Sequence, residues 1–246
     1  MSTEYHEEPK GGAAFTATSW TLVRNLHGDE ADKKIALEKL CAIYWTPLYF
    51  FVRRQGLSPE NASDIVQDLM AKIVRTDLFS KADKTRGRLR TFLLSAMQEQ
   101  VIDWRRHGSA AKRGGGQQVL SLQQDAESLY GLEPVDDDSP DKIFARKWVA
   151  VIFSDVISEV EGIWNRDGNG GYFAALKLFI EEELDASSAD EIGKQFGQTA
   201  GNVRVRLTRL KKQFRALVRA RISDTIENSN DPNELEDELR ELNIRL

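Results

Sequence analysis

Residues 188–222 read SADEIGKQFGQTAGNVRVRLTRLKKQFRALVRARI, and this stretch decides the fold. Ser188 and Glu191 have the S-x-x-E spacing of a capping box, which predicts a short helix that Gly197 ends. Thr199 then caps a second helix. Along it Val203, Leu207, Leu210, Phe214 and Leu217 recur at helical period and form one core-facing stripe. Asn202, Arg206 and Arg209 fall on the polar face, with Arg204 beside it. The pattern is a helix-turn-helix whose second helix can lie against DNA, its early residues at base edges and its later ones at phosphates. A solvated basic helix in an ordinary bundle would show the same stripe.

Charge favours the first of these. Residues 191–222 carry nine Lys or Arg against Glu191 alone, a local +8 in a chain of net charge −5. Such an excess seeks phosphate. Residues 81–113 hold nine bases against three acids, whereas residues 223–246 hold eight acids against Arg240 and Arg245. Two basic blocks and one acidic tail imply bipartite nucleic-acid contact with something acidic appended.

With 246 residues, 41% of them hydrophobic, the chain can bury one moderate core or two small ones, and its organisation favours two. The opening MSTEYHEEPKGG is polar and acidic, and the apolar runs Leu48–Val52 and Trp148–Phe153 are too short for a bilayer, so a soluble cytoplasmic protein without membrane contact is expected. The single Cys41 and the scattered His6, His27 and His107 offer neither a disulfide nor metal-ligand spacing, and no cofactor is expected.

The periodic segments are helical throughout, which predicts an all-α fold. A polar N-terminus, 1–17, precedes a first block at 18–107. There one helix from about Ala31 to Gln55 is interrupted or kinked near Pro47, Ser58-Pro59 opens another, and a third starts near Arg88. Residues 108–139, with Gly114-Gly115-Gly116, form a flexible linker. A second block spans 140–222, opened by Ser139-Pro140, with a helix near Tyr172–Glu183 before the helix-turn-helix. Asp231-Pro232 starts a short helix in the acidic extension 223–246. Its Leu235, Leu239 and Leu242 could pack on the second block, it could meet another protein, or it could lie over the basic helix and lower DNA affinity.

In the first block Asp64, Gln67 and Asp68 share one polar helix face, while Ile65, Leu69, Met70 and Ile73 face inward. Further on, Trp104 is interleaved with Arg105 and Arg106, a pairing suited to base stacking with phosphate contact. Trp104 could equally be core.

Taken in order, D-x-x-Q-D, a basic loop, L-R-T-F-L-L, V-I-D-W-R-R, a linker and a basic helix-turn-helix resemble the extracytoplasmic-function (ECF) group of the sigma-70 family of RNA polymerase sigma factors. The resemblance covers nearly the whole chain. It implies two small helical domains, sigma regions 2 and 4, joined by the linker and followed by the acidic helix. Asp64, Gln67 and Asp68 would then dock on the β′ clamp helices of core RNA polymerase. Lys84, Arg86, Arg88, Arg90, Trp104, Arg105 and Arg106 would open and read the −10 promoter element. Thr199, Asn202, Arg204, Arg206, Arg209, Lys211 and Lys212 would read the −35 element. Core polymerase, through the clamp and the β flap, and promoter DNA are the implied partners, with an anti-sigma factor or another regulator a further candidate.

This reading is of a non-catalytic specificity subunit. A stand-alone helix-turn-helix regulator would also bind duplex DNA, but it has no use for a docking face and a second basic block. A helical nuclease could place a metal on Asp64 and Asp68, yet the sequence spaces no third ligand to complete that site.

Overall fold

The structure, a computed structural model, describes residues 22, 25–26, 28–75, 88–107, 117–132, 138–180, 182–226 and 231–244. Lys84, Arg86 and the 1–17 segment lie outside the described residues. Among those described, every regular element is helical: α1 (Glu30–Arg53), α2 (Pro59–Arg75), α3 (Leu89–His107), α4 (Gln117–Gly131), α5 (Pro140–Arg166), α6 (Gly170–Leu176, prolonged by a 3-10 turn Lys177–Phe179), α7 (Ala186–Gln195), α8 (Ala200–Ser223) and α9 (Pro232–Glu241). The all-α architecture expected from the periodicity is the observed one. The helices divide into two compact units, a larger one within 17–152 and 222–245, and a smaller one within 153–221.

Helix α1 is the centre of the larger unit. Asp29 caps it by accepting a hydrogen bond from the Asp32 amide at 2.8 Å, and Tyr44, Trp45, Leu48, Tyr49, Phe50 and Phe51 are buried. Of the interruption or kink expected at Pro47, the interruption is absent: the helix runs through it, with buried residues on both sides. By length and composition α1 is also apolar enough to cross a bilayer, which the short runs did not suggest, but in this fold most of that apolar stretch is interior. Ser58 caps α2, its Oγ accepting from the Asn61 amide at 3.3 Å. Ala62, Ile65, Val66, Leu69, Met70 and Ile73 then bury the face of α2 that packs on α1 and α3.

The expected linker is not simply flexible. It contains α4, which packs on α1 and α2: Ala126 is buried, Tyr130 meets Phe50 edge-on at 5.1 Å between centroids, and Glu127 receives Tyr49 Oη and the Arg53 Nε at 3.0 Å. Among the described side chains of α4 only Ala126 is buried, too little for composition to reveal the helix. The division between the two units falls inside α5, after Ile152. Residues 140–152 touch the larger unit through Gln98 to Asp141 at 3.1 Å, Lys147 over the Phe50 ring at 4.3 Å, and Trp148 beneath Arg90 at 6.0 Å.

The acidic helix α9 likewise belongs to the larger unit. Packing on the second block is one of the roles the sequence leaves open for the tail; the ion pairs of α9 are made within the larger unit. Asp231 caps α9 through the Asn233 amide. Asn243, at φ 54°, closes it, with the Ile244 amide donating to the Leu239 carbonyl at 2.9 Å.

In the smaller unit the stripe of α8 is buried as predicted at Val203, Leu207, Leu210 and Phe214, but is completed by Val218 rather than Leu217. Phe214 meets Phe153 edge-on at 5.3 Å, and Trp164 Nε1 donates to Gln213 at 3.0 Å. The start of α7 departs from expectation. Asp185, not Ser188, is the N-cap, and its carboxylate accepts from the Ser188 amide at 2.8 Å. These hydrogen bonds, the backbone one first, hold the Asp185 carboxyl below its ordinary range.

Candidate nucleic-acid and polymerase interfaces

The turn between α7 and α8 is built from glycine. Gly197 takes φ 63°, a left-handed conformation that side chains resist, and lets the Gln198 amide reach the Gly193 carbonyl at 2.8 Å. Gly193 itself admits the returning chain: a Cβ there would stand 2.7 Å from the Gln198 carbonyl oxygen. Thr199 Oγ1 then accepts from the Asn202 amide at 3.2 Å, so the second helix starts where the sequence placed it.

On α8 the predicted readers separate into two groups. Asn202, Arg204, Arg209 and Lys212 are exposed, as is Thr199 at the helix start. Arg206 is not on that open face. It is half-buried, donates to Asn169 Oδ1 at 3.1 Å and lies 4.6 Å over the Tyr172 ring, itself stacked on Phe196 at 4.1 Å. The helix surface of α6 thus recruits Arg206 for packing. Lys211 donates to the Glu182 carbonyl at 2.9 Å. Arg221, one of the cations behind the +8 count, is buried between Asp155 and Glu159 of α5. Burial raises the Asp155 carboxyl above its usual range despite Arg221 beside it.

In the larger unit Asp64 and Asp68 are exposed on α2 and Gln67 is half-buried between them, so the acceptor-rich face is presented as drawn. On α3 Arg105 and Arg106 are exposed, Arg105 donating to the Gln55 carbonyl at 3.0 Å, and Trp104 is half-buried. At the other end of α3 Arg90 is only 5% exposed. Its Nε and Nη2 reach the two oxygens of Glu238 at 2.5 and 2.9 Å, and Nη2 also reaches Glu241 at 2.8 Å. Arg88 pairs with Glu238 at 2.5 Å and with Glu241. Burial alone would weaken the Arg90 charge, yet the two glutamates outweigh it and strengthen its hold on the proton.

These last contacts are what sequence reasoning missed. The opposite charges of 81–113 and 223–246 were visible, but charge alone cannot say which basic block an acidic tail meets. The Glu238 and Glu241 spacing, i and i+3, was the available signal. Among the described residues, no group of three or more His, Cys, Asp or Glu side chains is gathered as a metal site needs.

The described residues thus hold an exposed acceptor-rich face on α2, an arginine-bearing α3 and a glycine-hinged basic α8 in an all-helical fold. Residues 29–147 match the family model described as ECF sigma factor, which supports a sigma factor of the sigma-70 family. Sigma factors of that family are non-enzymatic initiation factors that work with core RNA polymerase and promoter DNA. Neither the curated proteins nor the solved structures contain a match to it.

Proposed function

We propose that this sigma factor recognises the −35 element through α8 and the −10 element through α3, and docks on the polymerase β′ clamp through α2. The observation that carries the reading is the exposed set Asn202, Arg204, Arg209 and Lys212 on the second helix of a helix-turn-helix, in a chain whose first half matches the ECF family. Early polar residues of such a helix meet base edges, and the later cations meet phosphates. Arg206 takes a supporting role, since its guanidinium is spent on Asn169 and Tyr172.

In the first block Asp64, Gln67 and Asp68 supply acceptors for basic clamp residues. Trp104, Arg105 and Arg106, with Lys84 and Arg86, hold the opened strand, the tryptophan by stacking and the cations by phosphate contact. The β flap would receive region 4, and a cytoplasmic site of action follows from partnership with polymerase. Run-off transcription from a promoter library, with core polymerase and the purified protein, tests the reading. Enriched promoters should share two conserved elements, and promoters enriched for a −35 element alone would remove α3 from recognition.

A further inference from the structure

We propose that α9 is an exchangeable phosphate mimic: Glu238 and Glu241 occupy Arg88 and Arg90 in the free protein and yield them to backbone phosphates of the opened promoter strand. The inference rests on the reading of α3 as the strand-binding helix.

Arginine forks bind carboxylates and phosphates with the same paired N–H geometry, so the two ligands compete for one site. The site is formed as such a ligand would require. Glu238 is fully buried between both guanidiniums, and Glu241, one turn on, bridges them from the solvent side with its carboxylate 56% exposed. On α9 Leu239 is buried, and Leu235 and Leu242 are half-buried.

The attachment is also of the kind that can be released. A helix of ten residues is marginal on its own in water, so α9 exists by virtue of what it touches. Two of its side chains, Glu238 and Glu241, are held by ion pairs. A buried ion pair returns little net stability after desolvation, whereas burial of an apolar face of the same size would return much more. A strand carrying one phosphate per nucleotide offers the arginines an equivalent partner while leaving the tail glutamates to water.

The test uses the full-length protein and a fluorescein-labelled single-stranded DNA of random sequence, read by anisotropy across a salt series. Glu238→Gln with Glu241→Gln should bind the strand on the order of tenfold more tightly at low salt, with a slope steeper by about 1.4 for two freed phosphate contacts. Adding Arg88→Ala should remove at least half of the gain. Should the glutamine pair melt at lower temperature, Glu241→Gln alone, at the half-exposed carboxylate, should move affinity in the same direction. Unchanged affinity in a folded glutamine variant would make α9 a static clasp and overturn the proposal, as would a gain that survives Arg88→Ala in full. If instead Arg105→Ala with Arg106→Ala left strand binding at the wild-type level, the strand-binding reading of α3 would fail, and the mask with it.

Discussion

Glu238 holds Arg90 by both carboxylate oxygens, at 2.5 and 2.9 Å, with the glutamate fully buried and the arginine nearly so. Removing one partner of an immobile buried pair costs about 3–5 kcal/mol, because the other charge is stranded away from water. Here the covering element is a short helix that can lift and let water reach Arg90. Glu238→Ala should therefore lower unfolding free energy by only about 1–2 kcal/mol, near the worth of the lost charged hydrogen bonds. Urea unfolding measures this, and a loss in the higher range would mean that α9 stays in place.

Gly193 makes the second prediction. A Cβ would stand 2.7 Å from the Gln198 carbonyl oxygen, and the neighbouring atoms it meets are backbone, which cannot swing aside. Gly193→Ala should cost about 1–3 kcal/mol as an overpacked site and weaken duplex binding by disturbing the approach of α8. Thermal melting and anisotropy on duplex DNA read the two effects; a variant with wild-type melting would show that the turn relaxes freely.

Arg206 and Arg204 should behave differently although they are two residues apart. Arg206 sits over Tyr172 and donates to Asn169, so Arg206→Ala should cost about 1–2 kcal/mol of stability, combining a cation–π contact and a hydrogen bond. Arg204 and Asn202 are exposed, and their replacement by Ala should leave melting unchanged while relaxing −35 discrimination by about 1–3 kcal/mol per lost base contact. Competition between promoter variants separates the cases. Unchanged melting in Arg206→Ala would return that residue to the DNA face.

What the sequence revealed and what it hid follow one physical line. Period and caps are local, so the stripe of α8, the Thr199 cap, the Ser58 and Asp231 starts and the exposed Asp64 face could all be read from neighbours in the chain. Arg206, Arg221, Glu127 and Arg90 were misjudged or overlooked because their partners lie 37, 66, 74 and 148 residues away. A cation at a helical surface position looks the same whether it meets solvent, DNA or a distant carboxylate. Charge counts gave the sum of each segment and not its neutralisation by the fold.

Glu127 gives a prediction in pH. Burial disfavours its charge, but hydrogen bonds from Arg53 and Tyr49 and the Arg53 charge outweigh that and hold its carboxyl below the ordinary range. A depressed acid adds stability that is fully present above the unfolded value of about 4.3 and is lost as pH falls through the folded one. Glu127→Gln should therefore lower melting at pH 7 by the worth of a partly exposed pair, about 1 kcal/mol or less. As pH falls below about 4.3 the gap between wild type and variant should close. A gap that persists there would assign the contribution of residue 127 to shape rather than charge.

The docking face is tested by changing its sign. Asp64 is exposed on α2, one turn from the half-buried Gln67, while the opposite face carries the Ile65, Leu69 and Ile73 core contacts. Asp64→Arg with Gln67→Ala removes acceptors and adds a like charge where basic clamp residues would approach, and like-charge juxtaposition at an interface costs several kcal/mol. Association with core polymerase should fall below detection in a pull-down, while the circular dichroism spectrum and melting temperature stay at wild-type values, since helical surface changes away from the core are small in effect. Single-stranded DNA binding by the free protein should also be retained, which separates lost docking from lost strand contact. Undiminished capture of polymerase by the folded double variant would place the docking surface elsewhere on the chain.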